Sequence, residues 1–464
     1  MSKYDVIVIG AGPAGIFTAL ELLKEKPDTK LLILEKGRII KNRKCPKRKT
    51  FNCTNCTPCS ITSGWGGAGA FSDGKLSLSP EVGGEVLSEF WGEEKVSELI
   101  NYVDSIYLGY GGNEKIYYDS EFADQVSYKA KCYGLNLVRC PVRHLGTEDS
   151  ARIMDEMYQT IKAYPNVDIR DMTIVQHVLH DKNTMQVIGV ETNNEKFYAD
   201  YVVVSVGRNG ADWFHNECKQ LGIQTTSNQV DIGVRVEVPR CVTDKITDRL
   251  YEFKFLYYSD TFENKVRTFC MNPGGFVAQE NYDEGLAVVN GHCYSSVKSE
   301  NTNFALLVSS RFTDPFDDPI RYGKYIAQLG NMLTGGSIMV QRLEDLKMGR
   351  RTDVDRMKKL ALKPTLKDAV PGDLSYVLPH RHLVPIMETL KALDNICPGM
   401  YGKNTLLYGV EVKFYSSRVS VSPQLETAIN GLYAIGDGAG ITRGLMQASV
   451  SGVLAARDIL NKIG

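Results

Sequence analysis

Glycine residues near the start of the chain have the spacing needed to bring backbone close to a phosphate. This segment runs from Gly10 through Gly12, Pro13 and Ala14 to Gly15 and fits the pattern G-x-G-x-x-G. In that pattern the first glycine allows a tight turn, the second lets backbone N–H groups approach a pyrophosphate, and the third lets a helix pack against a strand. The positive end of the helix dipole then faces the phosphates.

The elements around this turn are the ones that the pattern requires. Residues 5–9, apolar from Val6 onward, are typical of a buried parallel strand, and residues 14–23 have helical spacing. Residues 30–34 return as a second strand, with Glu35 at its end and Lys36 after it. An acid there accepts hydrogen bonds from the ribose of an adenine dinucleotide and disfavours a 2′-phosphate, so NADP is not expected. Together these features predict a dinucleotide site.

A second glycine segment, near the other end of the chain, separates FAD from NAD. The apolar residues 431–435 end in Gly436 and Asp437, and Gly440 follows before a predicted helix. The Asp437 carboxylate can accept a hydrogen bond from a ribityl hydroxyl, and the helix N-terminus can point at the flavin edge that gains negative charge on reduction. An NAD-only dehydrogenase has no use for this contact. Arg443, in the same loop, is a candidate cation for stabilising reduced flavin.

Together these motifs resemble the glutathione-reductase-type superfamily of FAD/NAD(P)-linked flavoproteins. That superfamily also has a strand that closes on a glycine after a β-meander, which residues 201–206 and Gly207 match with Ser-Val-Gly in place of the common Ala-Thr-Gly. Within it, residues 66–76 and 269–275 look most like the poorly characterised "NAD(FAD)-utilising" FAD-dependent dehydrogenases. The resemblance implies an α/β fold: a discontinuous Rossmann-type FAD-binding domain with a β-meander, plus an inserted mixed α+β substrate domain.

A third glycine-rich segment, residues 63–74, follows the second strand. In similar flavoproteins a loop of small residues at this place runs along the FAD pyrophosphate and toward the isoalloxazine, because glycine lets backbone approach a flat ligand. The alternative is a flexible surface loop. The candidate cofactor contacts here are Gly66, Gly67, Ala68, Gly69, Ser72 and Gly74.

Four cysteines lie just upstream of this loop with the spacing C-x7-C-x2-C-x2-C: Cys45, Cys53, Cys56 and Cys59. The C-x2-C-x2-C part resembles the ligand run of a [4Fe-4S] cluster. A zinc site is an alternative, although zinc more often uses separated pairs. Two further interpretations stay open: a Cys56/Cys59 dithiol that exchanges electrons with the flavin, and four reduced thiols with no joint role.

Composition limits the classes of function and the compartment. The net charge of −1 gives no prediction of nucleic-acid binding, and no apolar run approaches the ~20 residues that cross a membrane. The start lacks the features of a secretory signal, and 11 cysteines then indicate a reducing, cytoplasmic setting. A basic run over residues 41–49 is either a solvated face or a docking face for an electron carrier of ferredoxin or flavodoxin type.

The predicted domains are interleaved, because no linker or repeat separates them. The FAD-binding domain takes residues 1–80, with the Cys/Gly-rich loop, then 166–212, with the β-meander and return strand, and finally 396–464. Residues 81–165 form an insertion with a helical segment, and residues 213–395 form the substrate domain. Cys270, inside the substrate domain, is interpreted as a small buried thiol.

The function predicted from these features is that of an FAD-dependent oxidoreductase, a dehydrogenase or reductase acting on a small organic substrate. The candidate catalytic residues are Cys56, Cys59 and Arg443. No second nucleotide fingerprint is visible in residues 213–395, so electrons are expected from a carrier protein or the cysteine centre, with NAD(P)H left open. Two other hypotheses are an FAD/folate-dependent RNA-modifying flavoenzyme, which the net charge opposes, and a non-catalytic flavin/thiol redox sensor.

Overall fold

The computed structural model describes residues 3–46, 54, 56–72, 74–281, 285–294, 297–313, 315–316 and 318–464. These residues form two compact units. Unit 1 comprises Met1–Ile116, Arg143–Ser227 and Ser416–Gly464, and unit 2 comprises Tyr117–Val142 and Asn228–Tyr415. Cys53 and Asp73 lie outside the described residues.

The helices and strands are numbered here in chain order. The helices of the described residues are α1 (Pro13–Glu25), α2 (Glu85–Gly109), α3 (Ser120–Lys131), α4 (Thr147–Lys162), α5 (Ala211–Leu221), α6 (Asp244–Leu250), α7 (Pro319–Thr334), α8 (Leu343–Lys347), α9 (Val354–Lys358), α10 (His380–Asp394) and α11 (Leu445–Ile463). The strands of the first half are β1 (Tyr4–Ile9), β2 (Leu31–Leu34), β3 (Lys75–Ser77), β4 (Ile116–Tyr117), β5 (Leu135–Val138), β6 (Val142–His144), β7 (Val167–Arg170), β8 (Val175–Asp181), β9 (Gln186–Thr192), β10 (Lys196–Val204) and β11 (Thr225–Thr226). Those of the second half are β12 (Val230–Pro239), β13 (Lys254–Tyr258), β14 (Lys265–Pro273), β15 (Phe276–Asn281), β16 (Ala287–His292), β17 (Asn301–Ser310), β18 (Met339–Arg342), β19 (Val370–Pro371), β20 (Leu406–Lys413), β21 (Arg418–Val419) and β22 (Leu432–Ala434).

The main sheet of unit 1 has the order β7-β2-β1-β10-β9-β8, and β22 also pairs with β10. Strands β7, β2, β1, β10 and β22 are parallel, whereas β8, β9 and the start of β10 form an antiparallel meander. The register pairs Ile9 with both Leu34 and Val204, and Val204 with Ala434. Four strands therefore end at one edge, which is where open α/β sheets bind ligands.

Unit 2 is built on a sheet of order β19-β18-β20-β12-β17-β14-β13-β5. Because side chains alternate along a strand, β12 presents its valines and Ile232 to one face and Asp231, Arg235 and Glu237 to the other. The first set belongs to an apolar core, and α7 and α10 contact β12. The second face is polar although it is buried.

The structure confirms the predicted α/β fold class. The first predicted βαβ unit is present as β1, α1 and β2, and the predicted meander is β8 to β10. None of the helices in the part of the chain that the structure describes combines the length and apolarity needed to span a membrane. The domain ranges given above stay a prediction.

Candidate functional site

The glycine turn between β1 and α1 lies at the shared edge of the parallel strands. Gly10 has φ 97°, which favours glycine, and its N–H donates to the Leu34 carbonyl at 2.8 Å. A Cβ built on Gly15 would lie 2.2 Å from the Gly10 carbonyl oxygen and 2.6 Å from Ser205 Oγ. The third glycine of the pattern is therefore the one that lets α1 pack on the strand ends.

Gly12 fills a different role, because its Cα faces open space. It has φ −78° and ψ −178°, which any residue can adopt, and a Cβ built there meets no described atom within 4 Å. Helix α1 begins next with Pro13 and has no side-chain cap among the described residues. Pro13 has no N–H and the Ile16 N–H donates to the Gly12 carbonyl at 2.9 Å, so the N–H groups of Ala14 and Gly15 are the ones that a water or a ligand can accept, and the helix dipole favours an anion there.

Glu35 joins the glycine turn to the loop that follows β2. Its Oε1 accepts backbone N–H groups from Gly37 at 2.8 Å and Gly64 at 2.9 Å, and its Oε2 accepts that of Ala11 at 2.8 Å. The side chain is buried. A carboxylate oxygen has about two acceptor positions. Since Oε2 has one described partner, it retains acceptor capacity for a ligand hydroxyl. Lys36 points elsewhere and donates to the Asn209 carbonyl at 3.2 Å.

The glycine-rich loop is fixed against this turn. The Gly66 N–H donates to the Ala11 carbonyl at 2.7 Å, and a Cβ built on Gly67 would lie 3.3 Å from Gly12 Cα. The Gly69 carbonyl accepts the hydroxyl groups of Ser72 and Ser150. These contacts favour a loop packed against the glycine turn over the flexible-loop alternative. Ala68 is exposed, while Gly74 has φ 67° and packs near Leu145 and Gly146.

The segment after β22 meets the N-terminal turn. A Cβ built on Gly436 would lie 3.2 Å from the Ala14 Cβ, and the Gly438 N–H donates to the Val206 carbonyl at 3.0 Å. Gly440, at φ 69°, lies against the backbone of residues 416–418. The structure thus brings the first and last glycine motifs together in unit 1.

Asp437 is held at this junction with its carboxylate fixed. Its Oδ1 accepts the Thr442 hydroxyl at 2.9 Å, and its Oδ2 accepts the Gly444 N–H at 3.3 Å. Burial raises the pKa of Asp437, against the lowering effects of the Arg208 charge, these two hydrogen bonds and the Arg443 charge. The carboxylate is therefore poorly solvated and available to a hydroxyl donor.

Arg208 is the functional candidate that sequence reasoning missed. It follows Gly207, which closes β10 with extended backbone and whose built Cβ meets nothing within 4 Å. Its positive charge lowers the pKa of Asp437, the predicted ribityl acceptor, against the effect of burial. The sequence feature that could have identified Arg208 is its position directly after Gly207, the glycine that follows the predicted return strand. Arg443 is half-buried, and its N–H donates to the Gly83 carbonyl at 2.9 Å.

Three of the four clustered cysteines are described, and all three are free thiols. Cys45 is half-buried, whereas Cys56 and Cys59 are exposed. Among the described residues no group of three or more His, Cys, Asp or Glu side chains could hold a metal ion. The predicted ligand Cys53 lies outside those residues.

Cys59 has the environment of a reactive thiol. Burial raises its pKa, but hydrogen bonds from the Ile61 and Thr62 backbone and the Thr62 side chain, with the Arg43 charge, lower the pKa overall. A lowered pKa increases the thiolate fraction near neutral pH. We therefore expect iodoacetamide to alkylate Cys59 several-fold faster than exposed Cys132, as measured by peptide mass spectrometry across pH. Equal rates at every pH would contradict the thiolate assignment.

Only some of the described residues in the basic run over residues 41–49 are exposed to solvent. Arg43 is buried and donates to the carbonyls of Ser60, Ile61 and Trp65, so it holds the cysteine-containing loop together. Lys41 and Lys44 are exposed, and residues 47–49 lie outside the described part of the chain. A docking face for a carrier protein would have to use the lysines rather than Arg43.

Comparisons with known proteins relate the chain to FAD-dependent proteins. Residues 229–414 match the family described as "FAD-dependent protein, C-terminal domain-like". The chain is 24% identical, over 99% of its length and 81% of the relative's, to an uncharacterized protein of Clostridium beijerinckii. Similar solved structures include a formate oxidase, at 12% identity, TM-score 0.49 and coverage of 99% and 98% of the two chains. Another is glycine oxidase from Geobacillus kaustophilus, at 13% identity, TM-score 0.39 and coverage of 99% and 95%. The family match makes the chain similar to FAD-dependent proteins.

Proposed function

We propose that this chain is an FAD-dependent oxidoreductase that transfers hydride or electrons between FAD and a small organic substrate. One observation carries the proposal: the glycine turn after β1 and the Gly-Asp segment after β22 lie side by side, with Gly436 against Ala14. A site for phosphate alone would need only the first of these motifs. The second supplies a carboxylate where a flavin nucleotide has its ribityl chain.

The residues at this edge fit an FAD molecule. The open space in front of Gly12 and the uncapped start of α1 suit the pyrophosphate. The remaining acceptor capacity of Glu35 Oε2 suits a ribose hydroxyl, and Asp437 suits a ribityl hydroxyl. The discontinuous arrangement also supports placing the chain in the glutathione-reductase-type superfamily.

The chain contributes positive potential to the flavin end of the site. Helix α11 begins after Gly444, has no side-chain cap among the described residues, and has its dipole directed toward this junction. The positive charges of Arg208 and Arg443 both lower the pKa of Asp437, against the effect of burial. When bound, FAD supplies the ring that accepts or donates a hydride, and such cations favour its reduced, anionic form.

The direct test is an anaerobic visible spectrum of the purified protein, with FAD titration into any flavin-free fraction. Flavin absorption and saturable binding of FAD are expected. A colourless preparation that binds no added FAD would refute the proposal. Iron, acid-labile sulfide and zinc analysis of the same sample separates a [4Fe-4S] cluster, a zinc site and a metal-free dithiol.

For the second redox centre we propose the Cys56/Cys59 dithiol. Both thiols are free and exposed, and the pKa of Cys59 is lowered, as a dithiol that exchanges electrons requires. Exposed Lys41 and Lys44, before the cysteine loop, offer a site for an acidic carrier protein of ferredoxin or flavodoxin type. Stoichiometric iron and sulfide in the preparation would replace the dithiol with a cluster.

Changing Asp437 to asparagine is expected to move stability and cofactor affinity in opposite directions. The folded-state pKa of Asp437 is raised, so the stability it contributes is fully present below its unfolded pKa and is lost as pH rises through the folded pKa. FAD-free Asp437→Asn should therefore be more stable than wild type at neutral pH, with a smaller difference in acid. Its FAD affinity should fall about tenfold, because a charged acceptor is lost. Urea unfolding at two pH values and FAD titration check both effects; a neutral-pH loss of stability would contradict the assignment.

A further inference from the structure

The polar face of the unit 2 sheet pairs buried carboxylates with cations, of which Arg235 is fully buried and three others keep some exposed surface. Arg235 donates from Nε and Nη2 to both oxygens of Glu411 at 2.8 Å, and both side chains are 0% exposed. Arg267 donates to Asp231 at 2.7 Å, and Asp231 is also fully buried. Lys413 lies 2.9 Å from Glu411. The acids are thus covered by the cations that pair with them.

Three of the cations keep part of their side-chain surface exposed to solvent, whereas Asp231 and Glu411 have none exposed. The side-chain exposure is 10% for Lys413, 14% for Lys254 and 18% for Arg267, against 0% for Asp231 and Glu411. Lys254 pairs with Glu252, which is also buried, at 3.6 Å. Any molecule that reaches this face therefore meets positive charge first, in a place where partial desolvation strengthens charge-assisted hydrogen bonds.

These three cations surround one aromatic ring. The Phe269 ring centroid lies 4.8 Å from the Arg267 guanidinium carbon, 5.8 Å from Lys254 Nζ and 5.9 Å from Lys413 Nζ. A cation within about 6 Å of a ring centroid is attracted by the ring's quadrupole, so all three cations face the same ring. Phe269 is itself half-buried, which leaves an apolar surface beside the charges.

The strand pairing is irregular beside this ring. The pairing of β14 with β17 shifts between Phe269 and Asn272, and Cys270 has φ 49°, a left-handed conformation rare for a non-glycine residue. Cys270 is half-buried, so the prediction of a buried thiol is wrong: the irregular pairing removes it from the sheet ladder. Its carbonyl accepts from Arg235 Nη1 at 3.0 Å. Nearby, Asn303 accepts from the same nitrogen, yet its buried Nδ2 has no partner among the described residues.

We propose that this face, formed by Phe269 with Lys254, Arg267 and Lys413, binds a small organic carboxylate. The cations supply hydrogen-bond donors to the carboxylate, and Phe269 supplies contact for its carbon skeleton. The further step, that this carboxylate is the substrate of the oxidoreductase, rests on the proposed function. It narrows the substrate class of that function to organic acids. Binding of the carboxylate itself needs only unit 2 residues.

Isothermal titration of the full-length protein with benzoate and with succinate tests the inference, with benzamide and succinamide as neutral analogues. At least one carboxylate should bind while its amide does not. The dissociation constant should rise about tenfold or more in Lys413→Met and in Lys254→Met, each of which removes one cation. Lys391→Met, on the exposed side of α10, is the matched control and should bind as wild type does.

Lys413→Met leaves Glu411 paired with Arg235, and circular dichroism verifies that each variant is folded. If one of these two variants fails to fold, the dissociation constant of the other variant decides the test. The proposal is overturned if neither carboxylate binds, or if both folded variants still bind the carboxylate as wild type does. It is also overturned if inorganic phosphate binds more tightly than both acids. Carboxylate binding by a protein that rejects FAD would refute the proposed function alone. FAD binding without carboxylate binding would refute this inference alone.

Discussion

Replacing Gly12 with alanine is expected to leave the protein folded while weakening FAD binding by about a hundredfold or more. The backbone of Gly12 suits any residue, and the added Cβ meets no described atom within 4 Å. The methyl group would instead occupy the space in front of α1 that the pyrophosphate needs. Loss of two charge-assisted hydrogen bonds, at roughly 1.5–3 kcal/mol each, gives this magnitude. FAD titration and thermal unfolding of the flavin-free protein measure the two effects.

A matched control for this variant is Gly109→Ala. Gly109 is also exposed to open space, with no atom within 4 Å of a built Cβ, but it ends α2 away from the glycine turn. It should keep wild-type FAD affinity. If Gly12→Ala binds FAD as tightly as this control, the pyrophosphate does not lie in front of α1, and the proposed site is wrong.

Replacing Glu35 with alanine is expected to lower both stability and FAD affinity. The buried carboxylate accepts the N–H groups of Ala11, Gly37 and Gly64, and alanine would leave all three without their acceptor. With about 1 kcal/mol or more for each orphaned donor, we expect a loss of about 3 kcal/mol in the free energy of unfolding. The affinity for FAD should also fall, because the glycine turn and the following loop lose the carboxylate to which both are hydrogen-bonded.

Urea unfolding of the flavin-free protein checks this effect, with Glu25→Ala as the control. Glu25 lies at the exposed end of α1 and pairs only with Lys24 in the described ion pairs, so its removal should cost about 0.5 kcal/mol or less. Equal stability of the two variants would mean that Glu35 is not the anchor that its hydrogen bonds indicate.

The parts of the fold that local sequence could predict are those with strong periodicity and glycine chemistry. The run over residues 6–9 is apolar because β1 is covered on both faces, and Gly10 and Gly15 mark a turn that other residues fit poorly. These signals were sufficient for the βαβ unit and the meander. That the two ends of the chain belong to one FAD-binding domain was predicted because their motifs imply one ligand, but the pairing of β22 with β10 was not predicted.

The rest depends on contacts between residues far apart in sequence. Nothing local indicates that Arg43 is buried under the cysteine loop, or that Arg208 acts on Asp437. The same holds for unit 2, where a polar residue on β12 is buried only because another strand supplies its partner, as Glu411 does for Arg235. Periodicity shows which side chains share a face, but it does not show what covers that face.

The order of synthesis gives the pairing of β10 with β22 a consequence for biogenesis. Strand β10 is made early, yet its parallel neighbour Leu432–Ala434 leaves the ribosome only after all of unit 2 has been translated. Until then one flank of β10 has exposed backbone and apolar side chains that the nascent chain must protect from aggregation. Unit 2, whose strands all precede β22, has its sheet complete sooner. At the proposed site, which needs the segment after β22, flavin capture is therefore expected to be a late event in the production of this protein.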